Sequence, residues 1–349
     1  MRAPSLTDVP GIRVGHTQRV GRGWRTGTTV VLLPEHTVAG VDVRGGGPGT
    51  RETDLLHPTA TMNTVHALCF TGGSAYGLAA AGGVMELLES RRIGFQVGPG
   101  SHDVVPIVPT AVIFDLGRGG TFANRPDESF GLRAARAARA ASVAVGAVGA
   151  GTGARSRGLQ GGLGMASTTL SNGTVVAALA VVNSAGSVLD PSTGLPWERG
   201  SVALRRPTST DRQVLRAHLD SAVPPLNTTI GVVATTAALT KAECSKFASV
   251  AHDGLARAVR PAHSLLDGDT IFGVSTGRDD LGTLANASAA GAPPQRVRVG
   301  WLNAVLEAGA QCFAAACTDA IVHAVATGPD PAYRDLCPSA FPRGFTIAP

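Results

Sequence analysis

The spacing of apolar and polar residues along the chain follows two patterns. Short apolar, β-branched runs bounded by Gly, Pro or Asn predict strands, at 28–33, 38–43, 65–70, 163–170, 174–183, 228–237 and 270–276. Apolar residues that recur every three or four positions predict helices, at 74–90, 130–141, 211–219, 240–259 and 299–326. The strands cluster, and helices fall between clusters without strict alternation. This order favours an α+β layered fold with antiparallel character over a doubly wound parallel sheet.

Local signals set several of these boundaries. Ser74 is a candidate N-cap of the first helix. Thr240 and Glu243 fit a capping box, and Pro261 ends the helix that they begin. A Ser-Asn-Gly turn at 171–173 predicts a hairpin between its flanking strands.

Composition narrows the class of protein. The 349 residues are 44% hydrophobic and only 16% charged, which is enough apolar material for a large core and too little charge for a disordered chain. Aromatic residues make up 4% and there are 45 glycines, so the core must be mainly small and aliphatic with many tight turns. No change of composition marks a linker, and we expect a single domain over residues 1–349.

Charge and targeting signals exclude several classes of function. The net charge is +5, but the basic residues are scattered and no nucleic-acid-binding motif accompanies them, so no nucleic-acid partner is expected. Residues 1–14 lack the apolar region of a signal peptide, and no uncharged apolar stretch reaches membrane-spanning length. The expected location is therefore cytoplasmic, without a membrane partner. The five cysteines have no CxxC spacing, which favours free buried thiols over disulfides or a zinc site.

Two familiar motifs lack the sequence context of the sites that they usually mark, and the second is better explained as a turn at a strand end. Residues 149–154 satisfy G-x-G-x-x-A, but the next acidic residue is Asp190, too far away for a dinucleotide site. Residues 273–277 satisfy G-x-S-x-G, but the residues that follow make a poor helix start and His323 is the only histidine downstream. His252 and His263 are interpreted as capping or core residues rather than metal ligands. No metal or organic cofactor is expected.

The strongest candidate chemistry lies at Asn227-Thr228-Thr229, where a Pro-rich connector becomes a β-branched strand. If the bond before Thr228 were cut, this residue would carry both a nucleophilic hydroxyl and an α-amine able to deprotonate it. Asp267 and Asp269 flank a glycine, and in extended chain both carboxylates would face one side and could hold an ammonium group. The alternative is a solvated Asp-Gly turn.

Two further features are candidates for substrate contact. Asn183 ends a predicted strand and is either a turn residue or an amide donor to an oxyanion. Gly-rich segments at 43–52 and 71–77 bring backbone amides close to a ligand or to a neighbouring strand. Gly72, Gly73 and Ser74 are therefore candidate substrate-binding residues.

Together these segments resemble a known family. The matching blocks, in the family's order, lie at 41–54, 71–78, 105–109, 227–230, 251–257 and 267–272. They are similar to the P1 group of self-processing aminopeptidases, which includes L-aminopeptidase/D-amidases, β-peptidyl aminopeptidases and nylon-oligomer hydrolases. The resemblance implies a four-layer αββα sandwich like that of N-terminal nucleophile hydrolases, differently connected.

The resemblance also implies a maturation step and a set of site residues. An inactive precursor would be cut between Asn227 and Thr228 into a large subunit 1–227 and a small subunit 228–349, and the processed heterodimers would form a homo-oligomer. Thr228 falls on the nucleophile position and Asn183 on the oxyanion position. Asp267 and Asp269 fall on the pair that orients the nucleophile, in the carboxylate form of the nylon-oligomer hydrolases.

The chain departs from the family at two places. Gln160 stands where many members have the Lys of Lys-Gly-Gly, and Arg155 or Arg157 is a candidate source of the missing charge. The active-site Tyr of the β-peptidyl branch has no counterpart near 110–112.

The sequence thus predicts an autoprocessed aminopeptidase that acts on short peptides or amino-acid amides through an acyl-Thr intermediate. One alternative is a hydrolase or acyltransferase on non-peptide amides such as ω-amino-acid oligomers. The other is an unprocessed, non-enzymatic binding protein.

Overall fold

Two five-stranded sheets lie face to face in the computed structural model, which describes residues 3–141, 143–222, 227–281 and 293–346. The strands in chain order are β1 (Arg13–Gly21), β2 (Trp24–Leu32), β3 (Val38–Val43), β4 (Thr50–Arg51), β5 (Ala67–Thr71), β6 (Phe95–Gln96), β7 (Val104–Val105), β8 (Thr110–Val112), β9 (Arg155–Ser156), β10 (Leu159–Gln160), β11 (Gly162–Thr169), β12 (Val175–Asn183), β13 (Thr228–Ala237) and β14 (Thr270–Asp279). The first sheet has the order β1-β2-β5-β8-β4, and the second has β11-β12-β13-β14-β3.

Both sheets are mainly antiparallel, as the sequence predicts, and each contains one parallel pair. These pairs are β5 with β8 and β13 with β14. A helix lies between the two strands of each pair along the chain, as a parallel connection requires. The second crossover matters for the site, because it places the starts of β13 and β14 side by side.

The helices are α1 (Ala80–Ser90), α2 (Glu128–Arg136), α3 (Ser209–Ser221), α4 (Lys241–Ala258), α5 (Pro294–Val322) and α6 (Tyr333–Leu336). Helices α1 and α2 pack against the first sheet, and α4 and α5 pack against the second. The result is the four-layer αββα sandwich that the family resemblance implies.

Three apolar layers hold the sandwich together. Between the sheets, the rings of Phe70 and Phe272 lie 5.9 Å apart. Phe247 and Phe313 fill the layer between the second sheet and its helices, and Val84 lies in the layer under α1 and α2. Each fully buried side chain of this size contributes about 1.5–3 kcal/mol by leaving water. Strands buried on both faces read as continuous apolar runs, which is why β13 is recognisable in the sequence.

Close backbone approach explains part of the glycine content. A Cβ at Gly273 of β14 would lie 2.2 Å from the carbonyl oxygen of Cys244 in α4. Only a residue without a side chain allows this helix to lie directly on the strand.

Most predicted elements agree with the structure within a few residues, and the exceptions have local causes. Thr240 and Glu243 form the predicted capping box at the start of α4. The assignment of Ser74 as an N-cap is wrong, because Ser74 has φ 50° and begins a 3-10 helix, Ser74–Ala79, that precedes α1. Helix α2 begins earlier than predicted, where Asp127 caps it, and ends at Arg136. Strand β1 was not predicted, because its polar, half-exposed residues lack an apolar run.

Two properties of the core bear on the predicted class of protein. Helix α5 is long and apolar enough to cross a membrane, but 83% of its most apolar window is buried inside the fold, as in a core helix. All five cysteines are free and buried, as predicted.

Candidate active site

Thr228 is the first residue of β13 and lies inside the second sheet. Its neighbours in the sheet are Asn183, the last residue of β12, and the segment that leads into β14. Asn183 stands opposite Thr228 in the antiparallel register. Both residues are buried. The two strand ends therefore place a hydroxyl and a primary amide beside each other in an environment largely shielded from water.

The Asp267-Gly268-Asp269 segment runs alongside the Asn227–Thr228 bond. Asp267 pairs with Asn227 as an isolated parallel bridge, and Asp269 Oδ1 accepts a 2.7 Å hydrogen bond from the backbone N–H of Thr229. A Cβ at Gly268 would lie 3.0 Å from Thr228 Oγ1 and 2.7 Å from the Gly47 carbonyl oxygen. The segment is therefore packed too closely around Thr228 for a side chain at position 268.

Two donors among the described residues are hydrogen-bonded to the carbonyl oxygen of Asn227 in the uncleaved chain. Thr228 Oγ1 donates to it, and so does the backbone N–H of Gly268 at 3.2 Å. The hydroxyl thus lies against the peptide carbonyl that precedes it, and a backbone N–H points at the oxygen on which negative charge would develop if that carbonyl were attacked.

Asn183 has one satisfied and one unsatisfied end. Its Oδ1 accepts hydrogen bonds from Arg118 Nη1 at 2.5 Å and from the backbone N–H of Arg155 at 3.0 Å. Its Nδ2 is buried and has no hydrogen-bond partner among the described residues. An amide donor without a partner is costly in a protein interior, so an acceptor supplied by a ligand would be favoured there.

The two carboxylates have different surroundings. Asp267 Oδ2 accepts from the backbone N–H of Ser264 at 2.9 Å, whereas its Oδ1 is buried and has no partner among the described residues. Burial raises the pKa of Asp267; the negative charge of Asp269 adds to this rise, and the hydrogen bonds from Ser264 oppose it. Asp269 Oδ2 accepts from both the backbone N–H and Nδ1 of His263, at 3.1 and 2.8 Å.

The two histidines near the site make structural contacts. His263 packs edge-on against His252 with ring centroids 5.0 Å apart. Burial lowers the pKa of His252 to about 4, so its ring is neutral near pH 7. Across the described ranges, no three His, Cys, Asp or Glu side chains converge as metal ligands would. The interpretation of His252 as a core residue agrees with its burial, whereas His263 also fixes Asp269, a contact that the sequence did not indicate.

A cleft of about 180 Å³ opens onto Thr228. Its lining consists of Gly47, Pro48, Gly49, Ser74, Ala75, Val112, Phe114, Asn227, Thr228 and Leu266. Of the three candidate substrate-binding residues, only Ser74 is in this lining. Gly73 instead donates its N–H to Asp115 Oδ1 at 2.7 Å, and a Cβ at Gly72 would lie 2.0 Å from Asp115 Oδ2. Substrate binding by these residues stays a prediction.

Gln160 is buried beside a cation that the sequence did not identify. Its Oε1 accepts from Arg25 Nη2 at 2.7 Å, and Arg25 pairs with Asp330 at 2.9 Å. The side chain of Arg155 is directed to the other oxygen of Asp330, at 2.6 Å. The cation that is hydrogen-bonded to Gln160 is therefore Arg25. Arg155, which stands opposite Gln160 in the β9–β10 pair, shares Asp330 with Arg25, and its compensation for the missing Lys stays a prediction.

The G-x-S-x-G segment lies inside β14 and forms no exposed turn. Ser275 is buried and its hydroxyl donates to the Ala237 carbonyl oxygen at 2.6 Å. Such a hydroxyl is committed to the backbone, which agrees with rejecting it as a nucleophile.

Comparison with known proteins identifies the family. The family described as Peptidase family S58 matches residues 4–330. A protein named as an uncharacterized aminopeptidase of Mycobacterium tuberculosis is 50% identical over 350 residues, which cover 97% of this chain and 99% of the relative. A 6-aminohexanoate-oligomer endohydrolase of Paenarthrobacter ureafaciens is 31% identical over 328 residues, covering 86% of this chain and 85% of the relative.

Solved structures agree with this assignment. A β-aminopeptidase of Burkholderia sp. superposes with a TM-score of 0.66 at 25% identity, over 92% of this chain and 88% of the other. An L-aminopeptidase D-Ala-esterase/amidase of Ochrobactrum anthropi, described as a variant of the Ntn hydrolase fold, shares the fold with a TM-score of 0.68 at 19% identity, over 93% and 88% of the two chains. The chain therefore belongs to Peptidase family S58 and is a hydrolase with an Ntn-type αββα fold.

Proposed function

We propose that this protein is an autoprocessed aminopeptidase that hydrolyses short peptides or amino-acid amides through an acyl-Thr228 intermediate. The observation that carries the proposal is the contact between Thr228 Oγ1 and the Asn227 carbonyl oxygen at the head of β13. This contact lies between Asn183 on one neighbouring strand and the Asp267–Asp269 segment on the other.

Self-cleavage begins with attack of Thr228 Oγ on the Asn227 carbonyl carbon. The Gly268 N–H, already bonded to that carbonyl oxygen, stabilises the negative charge that develops there. The C–N bond then breaks, and the hydroxyl proton ends on the departing nitrogen, which becomes the α-amine of Thr228. Water hydrolyses the resulting ester, giving fragments 1–227 and 228–349.

In turnover, the new α-amine acts as the base. Its reference pKa is about 7.7–8.0, which suits proton transfer near neutral pH. It accepts the proton from Oγ as Oγ attacks the substrate carbonyl, and Asn183 Nδ2 donates to the oxyanion. The proton passes to the leaving amine, and water then hydrolyses the acyl-Thr ester and regenerates the hydroxyl.

The acidic residues suit the task of holding the new terminus. Asp269 fixes the backbone N–H of Thr229 and so the start of β13. Asp267 offers a buried oxygen without a partner among the described residues, beside the residue that precedes Thr228. An ammonium group formed at Thr228 would satisfy that oxygen and lower the cost of burying its charge.

The cleft favours a second candidate substrate class. The ten described residues that line it carry no formal charge. Hydrolysis of ω-amino-acid oligomers, the substrates in the name of the Paenarthrobacter relative, fits such a lining. A panel of amino-acid amides, dipeptides and aminohexanoate oligomers, with products identified by mass spectrometry, separates the two candidates.

The test of self-cleavage is a denaturing gel with N-terminal sequencing of the purified protein. We expect two fragments, the smaller beginning at Thr228, and a single uncut, inactive chain for Thr228→Ala. Thr228→Ser keeps a hydroxyl and should still process. An intact wild-type chain that does not change on ageing would instead support the binding-protein alternative, and a processed, active Thr228→Ala would end the proposed mechanism.

A further inference from the structure

Arg118 lies 65 residues from Asn183 in the sequence and directly behind it in the fold. Its Nη1 donates to Asn183 Oδ1 at 2.5 Å. Its guanidinium carbon lies 5.4 Å from the ring centroid of Phe114, which lines the cleft. Arg118 therefore borders the candidate site through two of that site's residues.

The contact determines which way the Asn183 amide faces. A guanidinium group and a backbone N–H can only donate hydrogen bonds. Both Arg118 and the Arg155 backbone are donors to the same side of the Asn183 side chain, so that side must be the oxygen. The Nδ2 group is consequently directed away from them, and it is this buried nitrogen that has no partner among the described residues.

We propose that Arg118 is a positioning residue that orients and polarises the Asn183 amide, so that Nδ2 is fixed as the donor to the substrate carbonyl oxygen. This inference rests on the proposed function, because it requires Asn183 to stabilise an oxyanion. A charge-assisted hydrogen bond on the carbonyl end of an amide draws electrons from the nitrogen and makes its N–H a stronger donor.

The charges around Arg118 are consistent with this role. Burial lowers the pKa of Arg118 to about 10, against the opposing effect of Asp115, and the group remains a cation at neutral pH. The guanidinium of Arg155 is paired with Asp330. Among the described side chains, Arg118 is thus the cation hydrogen-bonded to Asn183 itself.

The contacts in the uncleaved chain indicate that Arg118 acts in substrate turnover and not in self-cleavage. The Asn227 carbonyl oxygen accepts from Thr228 Oγ1 and the Gly268 N–H, while Asn183 Nδ2 makes no bond to it. Loss of Arg118 should therefore slow substrate turnover and leave self-cleavage complete. A residue with a purely structural role would impair both.

The test is a double-mutant cycle on the full chain with Arg118→Met, Asn183→Ala and the double variant, measuring processing, kcat and KM. We expect complete processing of Arg118→Met, an unchanged KM, and a fall in kcat of about 10- to 100-fold, the range for a hydrogen bond to a charged group. In the Asn183→Ala background, Arg118→Met should have no further effect, because its target is gone. Arg118→Lys keeps a cationic donor and should recover part of kcat.

Arg212→Met is the matched control, since Arg212 lies on α3, is also half-buried, and donates to the carbonyl oxygen of Pro207 just before that helix. Its kcat should equal that of the wild type. The inference is overturned if Arg118→Met lowers kcat equally in the wild-type and Asn183→Ala backgrounds, raises KM alone, or blocks processing. Sequencing the N-terminus of the small fragment tests the proposed function separately. If that fragment begins at Thr228, the proposed self-cleavage stands even when the Arg118 variants overturn this inference.

Discussion

Asn183 and Thr228 face each other across β12 and β13, the last residue of one strand opposite the first residue of the next. Because both belong to a sheet with helices on one face and a second sheet on the other, neither strand end can shift without disturbing two apolar layers. The core of the protein, rather than a loop, therefore fixes the relative position of the Thr228 hydroxyl and the Asn183 amide.

The first prediction concerns Asn183. Replacing it with Ala removes the proposed oxyanion donor, and kcat should fall by about 10²- to 10³-fold. Self-cleavage should continue, because the Gly268 N–H, and not Asn183, donates a hydrogen bond to the Asn227 carbonyl oxygen. Steady-state kinetics with a gel of the purified variant measure both effects. Asn172→Ala, at the turn between β11 and β12, is the matched control and should keep full activity. Wild-type kcat in Asn183→Ala would remove Asn183 from the mechanism.

The second prediction concerns the stability of the uncleaved chain as a function of pH. The pKa of Asp267 is raised above its ordinary value of 3.8 in the folded chain, chiefly by burial. The folded state therefore binds this proton more tightly than the unfolded state. The stability that this proton contributes is present at low pH and is lost as pH rises through the raised pKa.

Asp267→Asn should abolish that loss, since it keeps an acceptor for the Ser264 N–H without the charge. The measurement is urea unfolding at several pH values of Asp267→Asn and its parent, both carrying Thr228→Ala to prevent cleavage. The free energy of unfolding of Asp267→Asn, relative to that of its parent, should increase as pH rises above about 4. If the difference between the two free energies of unfolding stays constant or decreases as pH rises, the raised pKa of Asp267 is contradicted.

The third prediction concerns Gln160. Restoring the family's Lys with Gln160→Lys should destabilise the protein, because the ammonium would lie beside the buried Arg25 guanidinium, which now donates to Gln160 at 2.7 Å. The carbonyl oxygens of Thr152, Ala154 and Gly161, which now accept from Gln160 Nε2, would offset only part of the cost of burying a second cation. Thermal unfolding measures the effect, with exposed Gln311→Lys as the control. Removing the competing cation, in Arg25→Met/Gln160→Lys, should recover part of the loss. An unchanged Tm for Gln160→Lys would show that the pocket accepts both charges.

The fourth prediction is that the processed fragments stay together. In the second sheet, β13 and β14 of the small fragment lie between β12 and β3 of the large one. Separation would expose strand edges and two apolar layers, so the fragments should co-elute in size-exclusion chromatography without denaturant. The uncleaved Thr228→Ala chain provides the reference elution volume, and two separate peaks for the processed protein would refute the prediction. The same elution volume also tests whether the processed protein forms the expected homo-oligomer.

The sequence by itself determined the elements that depend on local chemistry. The β-branched run of β13, the capping box of α4 and the turn between β11 and β12 all follow from neighbours a few residues apart. The α+β class followed from their order, and the four-layer arrangement from the resemblance. The segments around Thr228 and Asp267 were found because their residue types are chemically distinctive and close to predicted strand ends.

Only the tertiary structure decided which side chains meet at those strand ends. Arg118 follows β8 of the first sheet and reaches Asn183 in the second sheet. Arg25 of β2 reaches Gln160, 135 residues away, in the separate β9–β10 pair. Gly72 and Gly73 approach Asp115 rather than lining the cleft, as a consequence of the backbone path after β5. Such contacts arise from packing between elements distant in the chain, and local periodicity carries no information about them, because it depends only on neighbouring residues.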